Sequence, residues 1–538
     1  MKQHTKYLGL SAAKQHATAV RAIRSKSSPS FVGLRAFHSY PAAIRLKNVY
    51  GAIVLLAVFA LASCDLQKTN VNPNASSEVS LSAVLTGAEV SLAFNIGANG
   101  AIATNTFIQQ TSGANGDAAG LDNYTISPSY YNSTWGSFYT GVLEELKILQ
   151  KTASERQLPY YSGVARVLSS FTFGALTDIF GDIPYTESLY GNGIVNPKYD
   201  KQQDIYAAIQ LQLDSAITEL SKPVSDNIGA TPATDDLIFG GATAKWIATA
   251  YTLKARYALH LTKLGAKDAA QKALSFLYDG ANYRGIASSS ADAQVLFGSA
   301  ATNANPFYQQ QVNRPGWVGL GASFVNLLNG NKVTDANTTP EGTYVDPRRA
   351  YFATNFPAGS STYQGSTAGV PGAKSVIGPY YGTATSPVNL VTYSEAKFIE
   401  AEARIIINPS DPLAQTALQE AVKGSFAKVV TNANDPYSSA QKQADYINAK
   451  ASLTGNFNAD LETIITQKYI ALFLQPEVWA DYRRTGYPAL PLAQNATSAA
   501  NPNGLIPRRI LYPQNETSLN SNAPAGSTYQ TPKLWWDN

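Results

Sequence analysis

Cysteine, histidine and methionine are almost missing from these 538 residues: there is one Cys, four His and one Met, the last being Met1. A single cysteine excludes an internal disulfide and any multi-cysteine metal site. His4, His16 and His38 all precede residue 63, so only His260 remains further along for a His-ligated zinc or a Ser-His-Asp triad. Charge is scarce as well, at 14% of residues, and unevenly placed. Residues 1–63 hold nine of the 41 Lys/Arg and no acid, which leaves 32 bases against 37 acids, a formal net charge of −5, for residues 64–538. The basic character belongs to the first 63 residues, and no footprint for nucleic acid survives their removal.

What is there begins with an apolar run from Ile53 to Ala62, behind Arg45 and Lys47, that ends in Leu61-Ala62-Ser63-Cys64. This is the layout of a secretory signal with a small-residue cleavage site. Tyr50, Asn48 and Lys47 break the run short of the ~20 apolar residues of a membrane-spanning helix. Leu, small, small, Cys resembles the bacterial lipobox, in which the thiol is acylated, with palmitate-type chains, and the chain is cut just before it. At about 0.8 kcal/mol per buried methylene, acyl chains on Cys64 would anchor a domain that does not span the membrane. The 44 residues before Arg45 exceed what a signal needs, which points to a misassigned start; an acid-free, basic leader also fits an organellar transit peptide.

Residues 64–77 are polar and aperiodic and read as a tether. Apolar spacing returns over 78–95. Two stretches, about 95–132 and 281–389, abandon helical period for Gly, Asn, Ser, Thr, Pro and Tyr, and long irregular segments of this kind carry function. Between and after them the period is helical. Val164, Val167, Leu168 and Phe171 form an i, i+3, i+4, i+7 stripe; Ile205 to Leu220 and Trp246 to Leu264 repeat it. Another helix is expected over 390–407, with Glu395, Glu400 and Glu402 turned to solvent, and a last one from Leu461 through Leu472. The tail from Tyr487 reads as coil. Helix pairs with short connectors predict a mainly α, tetratricopeptide-like scaffold, and residues 78–538 read as a single domain.

Several segments, in order, carry a resemblance: Ser63-Cys64, Asn72-Pro-Asn74, Trp135–Leu143, Leu176–Tyr185, Asp346-Pro-Arg348, Tyr393–Ala403, Gln467–Phe473, Glu477–Pro488, Ile506–Pro513 and Lys533–Asp537. Together they resemble the SusD/RagB family of nutrient-binding outer-membrane lipoproteins of Bacteroidetes, in its SusD-like second branch. The resemblance implies a SusD-like fold, with four tetratricopeptide-like helix pairs and irregular ligand-binding inserts on one side. It also implies a glycan or peptide ligand, lipid anchoring at the outer membrane on the cell surface, and a SusC-like TonB-dependent transporter as partner. Surface-exported members carry acids after the cysteine, where this chain has only Asp65 before Gln67-Lys68.

The binding residues are expected in the inserts. Asn305–Trp317 sets aromatics among amides and a guanidinium outside any apolar period, so Tyr308 and Trp317 are candidate stacking rings, with Asn313 and Arg314 as polar partners. Tyr124, Tyr130 and Asn115 are candidates in the first insert. No cofactor is expected, although Asn115, Asp117 and Asp122 offer oxygen ligands for calcium. The acid pairs Asp178/Asp182 and Asp235/Asp236 and the lone His260 are the residues a glycosidase or peptidase would have to use; turn-ordering and packing are their expected roles. A surface hydrolase and a helical assembly factor without small ligand are the competing functions. Asp481, Arg483 and Arg484 are expected just past a helix end, holding the fold by capping carbonyls and pairing with carboxylates, with Trp135 in the core and Trp535-Trp536 packing the tail down.

Overall fold

The computed structural model of the chain describes residues 80–538 apart from 338, 432–435, 526–527 and 530–532, and all of them belong to one compact unit, Glu78–Asn538. The leader, Cys64 and the tether 64–77 lie outside the described residues.

Helix α1 (Leu81–Asn95) is capped by the Ser80 hydroxyl, passes through a π-helical turn, Ile96–Gly100, and continues as α2 (Ala101–Phe107). Strand β1 (Thr111–Gly113), α3 (Gly116–Asp122) and α4 (Asn132–Phe138) complete the first insert. The scaffold follows: α5 (Glu144–Glu155), α6 (Pro159–Phe180), α7 (Gln202–Leu220), α8 (Thr243–Leu259) and α9 (Ala266–Leu277). The second insert holds β2 (Tyr278–Asp279), β3 (Asn282–Tyr283), β4 (Ala293–Val295), α10 (Pro306–Asn313), β5 (Val318–Leu320), α11 (Ala322–Leu328) and α12 (Arg349–Phe352), and ends in β6 (Val388–Val391). Then come α13 (Tyr393–Ile407), α14 (Pro412–Val429), α15 (Ala440–Lys450), α16 (Phe457–Ala471), α17 (Glu477–Thr485) and α18 (Gln514–Leu519).

The helices stack in sequence order, α5 on α6, α6 on α7, α7 on α8 and α8 on α9, and α9 then packs on α13, which also meets α14 and α16. This is the layered helix-pair scaffold that the periodicity predicts. The stripe Val164, Val167, Leu168, Phe171 is buried, as are Ile205, Ile209, Leu213 and Leu220. Close approach is built in: a Cβ on Gly174 of α6 would lie within bonding range of the Tyr257 hydroxyl, and one on Gly163 would sit 2.6 Å from Leu220 Cγ. The strands form three two-stranded antiparallel pairs, β1–β5, β2–β3 and β4–β6.

Short helices interrupt the second insert (α10, α11, α12) and the tail read as coil (α18), and α17 follows the helix expected to be the last. Three further expectations fail, each for a physical reason. The first insert is helical up to Phe107, because Ile102, Phe107 and Ile108 are fully buried and burial overrides a Gly/Asn-rich propensity. Gly97 is there for space, since a Cβ would lie 2.5 Å from Val388 Cγ2 of β6. Glu395, Glu400 and Glu402 do not face solvent: α13 is enclosed by α9, α14 and α16, and all three carboxylates are buried. Glu395 pairs with Arg256, Glu400 with Lys397 and Arg404, and Glu402 with Arg484. Arg483 and Arg484 lie within α17 rather than past it. Arg484 bridges Glu402 and Asp481, while Arg483 donates to the carbonyls of Asp178 (2.6 Å) and Arg508 (3.0 Å).

The tail crosses back over the scaffold. Trp536 is fully buried and its Nε1 donates to Asp178 Oδ1 at 3.1 Å, while Asp537 pairs with Lys263 at 2.8 Å and with Arg508. Trp135 is packed edge-on against Phe180, ring centroids 4.9 Å apart.

Candidate functional site at the junction of the inserts

The two inserts meet through main-chain hydrogen bonding. Strand β1 of the first runs antiparallel to β5 of the second, Ser112 opposite Gly319 and Gly113 opposite Val318. The pairing extends at both ends, where Ala114 N–H donates to the Trp317 carbonyl (2.9 Å) and Gly321 N–H to the Gln110 carbonyl (3.1 Å). Beyond the strand the chain turns sharply at Gly116, whose φ is +54° and whose Cβ position lies 3.1 Å from Trp317 Nε1. On the other side Arg314 to Trp317 closes a turn, Trp317 N–H donating to the Arg314 carbonyl at 3.2 Å. Asn115 Nδ2 crosses the junction to the Gly316 carbonyl at 3.2 Å.

This geometry gathers most of the residues singled out in the sequence. Asn115, Asp117, Asn313 and Arg314 are exposed on one ridge, and the Arg314 guanidinium lies 4.6 Å from the Trp317 ring centroid. A guanidinium laid on an indole face is held by about 0.5–1 kcal/mol when exposed, and Arg314 makes no ion pair among the described residues. Tyr130 is half-buried, edge-on to Tyr131 at 5.2 Å, with a hydroxyl that has no hydrogen-bond partner. Burial pushes that phenol up to about 12; Asp117 adds to the rise and Arg314 opposes it, which puts all three groups in one electrostatic neighbourhood.

Two candidates are corrected. Tyr124 is wholly buried, edge-on to Phe107, and its hydroxyl donates to the Phe107 carbonyl at 3.3 Å, so it offers no ring face to a ligand. Trp317 is only 6% exposed and Arg314 covers its ring, so it supports the ridge from below and is not an open platform. Tyr308 is half-buried in the first turn of α10, its N–H capped by Asn305 Oδ1 at 3.0 Å. It stands five residues before Asn313, about 140° round the helix, and nothing brings it to the ridge.

The oxygen ligands considered for calcium do not share a surface. Asp122 is turned into the core, accepting from Gly369 N–H at 2.7 Å, and burial pushes its carboxyl up to about 7. Among the described residues no three His, Cys, Asp or Glu gather as a metal site. The acid pairs are engaged by the fold. Asp178 accepts from the Tyr206 hydroxyl and Trp536, and Asp182 from Gln202 N–H at 2.9 Å. Asp236 accepts from Trp246 Nε1 (2.8 Å) and three backbone N–H groups of its own turn, and Asp235 from the Tyr161 hydroxyl at 2.6 Å. His260 is buried between the Tyr206 hydroxyl (2.8 Å) and Glu477 Oε1 (2.7 Å).

The sequence reading passed over Tyr190 and Tyr344, which are exposed. The setting of Tyr190 before Gly191-Asn-Gly193, outside any apolar period, is the signal that marks it.

Comparison with known proteins bears on this arrangement. A family model, SusD-like_2, described as "Starch-binding associating with outer membrane", matches residues 73–513. Among solved structures, a chitin-binding protein superposes with a TM-score of 0.69 at 24% identity, covering 85% of this chain and 100% of its own. A SusD/RagB family protein from Bacteroides thetaiotaomicron gives 0.69 at 21% identity, covering 86% and 99%. A chitin-binding SusD homolog from Flavobacterium johnsoniae gives 0.68 at 20% identity, covering 85% and 97%. At these identities the likeness is one of fold. No curated protein matches in sequence.

Proposed function

Because the chain belongs to the SusD-like_2 family, matched over residues 73–513, we propose that it is a non-catalytic nutrient-binding lipoprotein of the outer membrane, anchored through Cys64, that takes an oligosaccharide at the insert junction and passes it to a SusC-like TonB-dependent transporter. The observation that carries the binding reading is the ridge itself: the exposed side chains of Asn115 and Asn313 and the exposed Arg314 guanidinium, which lies on the Trp317 ring, in the neighbourhood of Tyr130. Amides and a guanidinium match the alternating donors and acceptors of sugar hydroxyls. A sugar ring resting against the guanidinium-indole stack would add hydrogen bonds without moving either group, and pre-organisation of this kind lowers the entropic cost of binding.

A peptide would present carbonyls to the same donors; the family description favours the glycan. Calorimetric titration with maltoheptaose and with chitohexaose tests the reading. Arg314→Ala is expected to weaken binding about tenfold, the size of a charge-assisted hydrogen bond. Unchanged affinity in Arg314→Ala and Asn313→Ala together would place the site elsewhere. Chromatography of the sugar after prolonged incubation should return it intact, and shortened products would make the protein a hydrolase. Co-purification of a barrel transporter from native outer membranes, and loss of lipid labelling in Cys64→Ser, check the partner and the anchor.

A further inference from the structure

A second concavity, of about 260 Å³, opens on the scaffold between α5, α6, α7 and the loop 185–190, and it shares no residue with the insert junction. At one wall Phe173 meets Tyr185 edge-on, 4.7 Å between ring centroids. Tyr190 stands at the mouth, 56% exposed, with the Lys147 ammonium 3.9 Å from its ring centroid. That ammonium is already engaged, donating to the carbonyls of Leu189 (2.8 Å) and Ser188 (3.5 Å), so its charge holds the loop, and every other lining side chain is uncharged.

The loop is fixed before any ligand arrives. The Asp200 carboxylate accepts from the N–H groups of Tyr185 (3.0 Å) and Thr186 (2.7 Å), and Leu189 is held at φ +64°, a left-handed conformation that costs a non-glycine residue about 1–2 kcal/mol. Ser170 of α6 lines the groove at 2% exposure, and its hydroxyl, which solvent does not reach, has no hydrogen-bond partner. Two residues on, Thr172 does what a buried helical hydroxyl ordinarily does and returns to the carbonyl four residues back, at 2.8 Å from Leu168 O. Ser170 leaves both its donor and its acceptor open, which calls for an explanation in a native structure. Gln212 gives its amide oxygen to Arg166 and sets its NH₂ beside the Tyr185 hydroxyl on the groove wall, where Gln150 offers a second amide.

We propose that this groove is a second carbohydrate subsite, taking one uncharged pyranose ring that lies against Tyr190 and hydrogen-bonds the Gln212 amide and, once its χ1 turns toward the groove, the Ser170 hydroxyl. A flat ring beside neutral donors and acceptors suits a sugar, and the engaged Lys147 leaves no free charge for a phosphate or carboxylate. The groove rests on its own geometry and does not require ligand at the insert junction.

Hydroxyl-radical footprinting of the full chain, with and without millimolar maltoheptaose or chitohexaose, reads Tyr190 directly. Labelling of Tyr190 is expected to fall with at least one sugar, and to fall equally in Arg314→Ala. The Ser170 hydroxyl has no partner to lose, so Ser170→Ala should keep or raise the melting temperature while weakening the Tyr190-linked binding about fivefold, one neutral hydrogen bond. Labelling of Tyr190 that neither sugar changes overturns the proposal, as does unaltered affinity in Ser170→Ala. Protection at Tyr130 with none at Tyr190 would leave the insert junction standing and remove this groove; the reverse pattern would do the opposite.

Discussion

In the scaffold, Arg256 and Arg484 are at most 5% exposed, and each lies against two buried carboxylates: Glu395 and Glu477 for the first, Glu402 and Asp481 for the second. At the insert junction Arg314 lies in solvent on the face of Trp317 with no carboxylate partner among the described ion pairs. The same side chain thus does two jobs. A buried guanidinium is fully committed, because removing it strands charge in a poor solvent; an exposed one on an indole is positioned but keeps its donors for a ligand.

Breaking the buried side should have the largest effect. Arg484→Met leaves Glu402 and Asp481 without their shared cation and should cost about 3–5 kcal/mol in urea denaturation; a loss below about 1 kcal/mol would mean that the pairs contribute no more than surface bridges. Asp122 sharpens the comparison from the acid side, since it is buried with a backbone N–H and no cation. Burial pushes its carboxyl up to about 7, well above an ordinary aspartate, so the folded state holds the proton more tightly. Its contribution is therefore favourable at low pH and is lost as pH rises from about 4 through 7, at about 1.4 kcal/mol per unit of separation. Asp122→Asn should flatten that part of the stability-pH curve and be more stable than the parent at pH 8; an unchanged slope would show that another group sets it.

Gly97→Ala should cost about 1–3 kcal/mol by overpacking against Val388, and Val388→Ala in the same chain should recover part of it; equal losses in the single and double variants would show that space is not the reason for glycine. The smallest change is expected where the chain is most interesting. Arg314→Ala should alter stability by about 1 kcal/mol or less while losing the sugar affinity described above, and a large drop in melting temperature would make Arg314 structural.

Legibility in the sequence followed the same division. The apolar stripes of α6, α7 and α8 were readable because one face of each is buried and the period says so. Helix α13 hides its burial because it is enclosed on several sides: its glutamates occupy positions that face solvent in an amphipathic helix, the partners of Glu395 and Glu402 lie on α8 and α17, remote in sequence, and Glu400 pairs with Lys397 and Arg404 at spacings that an exposed helix face also shows. The ridge residues Asn115, Asn313 and Arg314 were legible as polar groups in aperiodic sequence. Their meeting was not, because it depends on β1 pairing with a strand some two hundred residues away. Tyr124 was misjudged for the same reason, since a tyrosine in a Gly/Asn-rich segment carries no mark of the core that Phe107 and Trp479 build around it.

The return of Trp536 to Asp178 spans 358 residues. The C-terminal end of α6 is therefore completed from the far end of the chain, by the Trp536 indole on the Asp178 carboxylate and by the Arg483 guanidinium on the Asp178 carbonyl. Losing only the last few residues would strip a donor from a carboxylate buried more than three hundred positions away, so damage at the terminus is expected to be felt inside the scaffold and not at the surface where the chain stops.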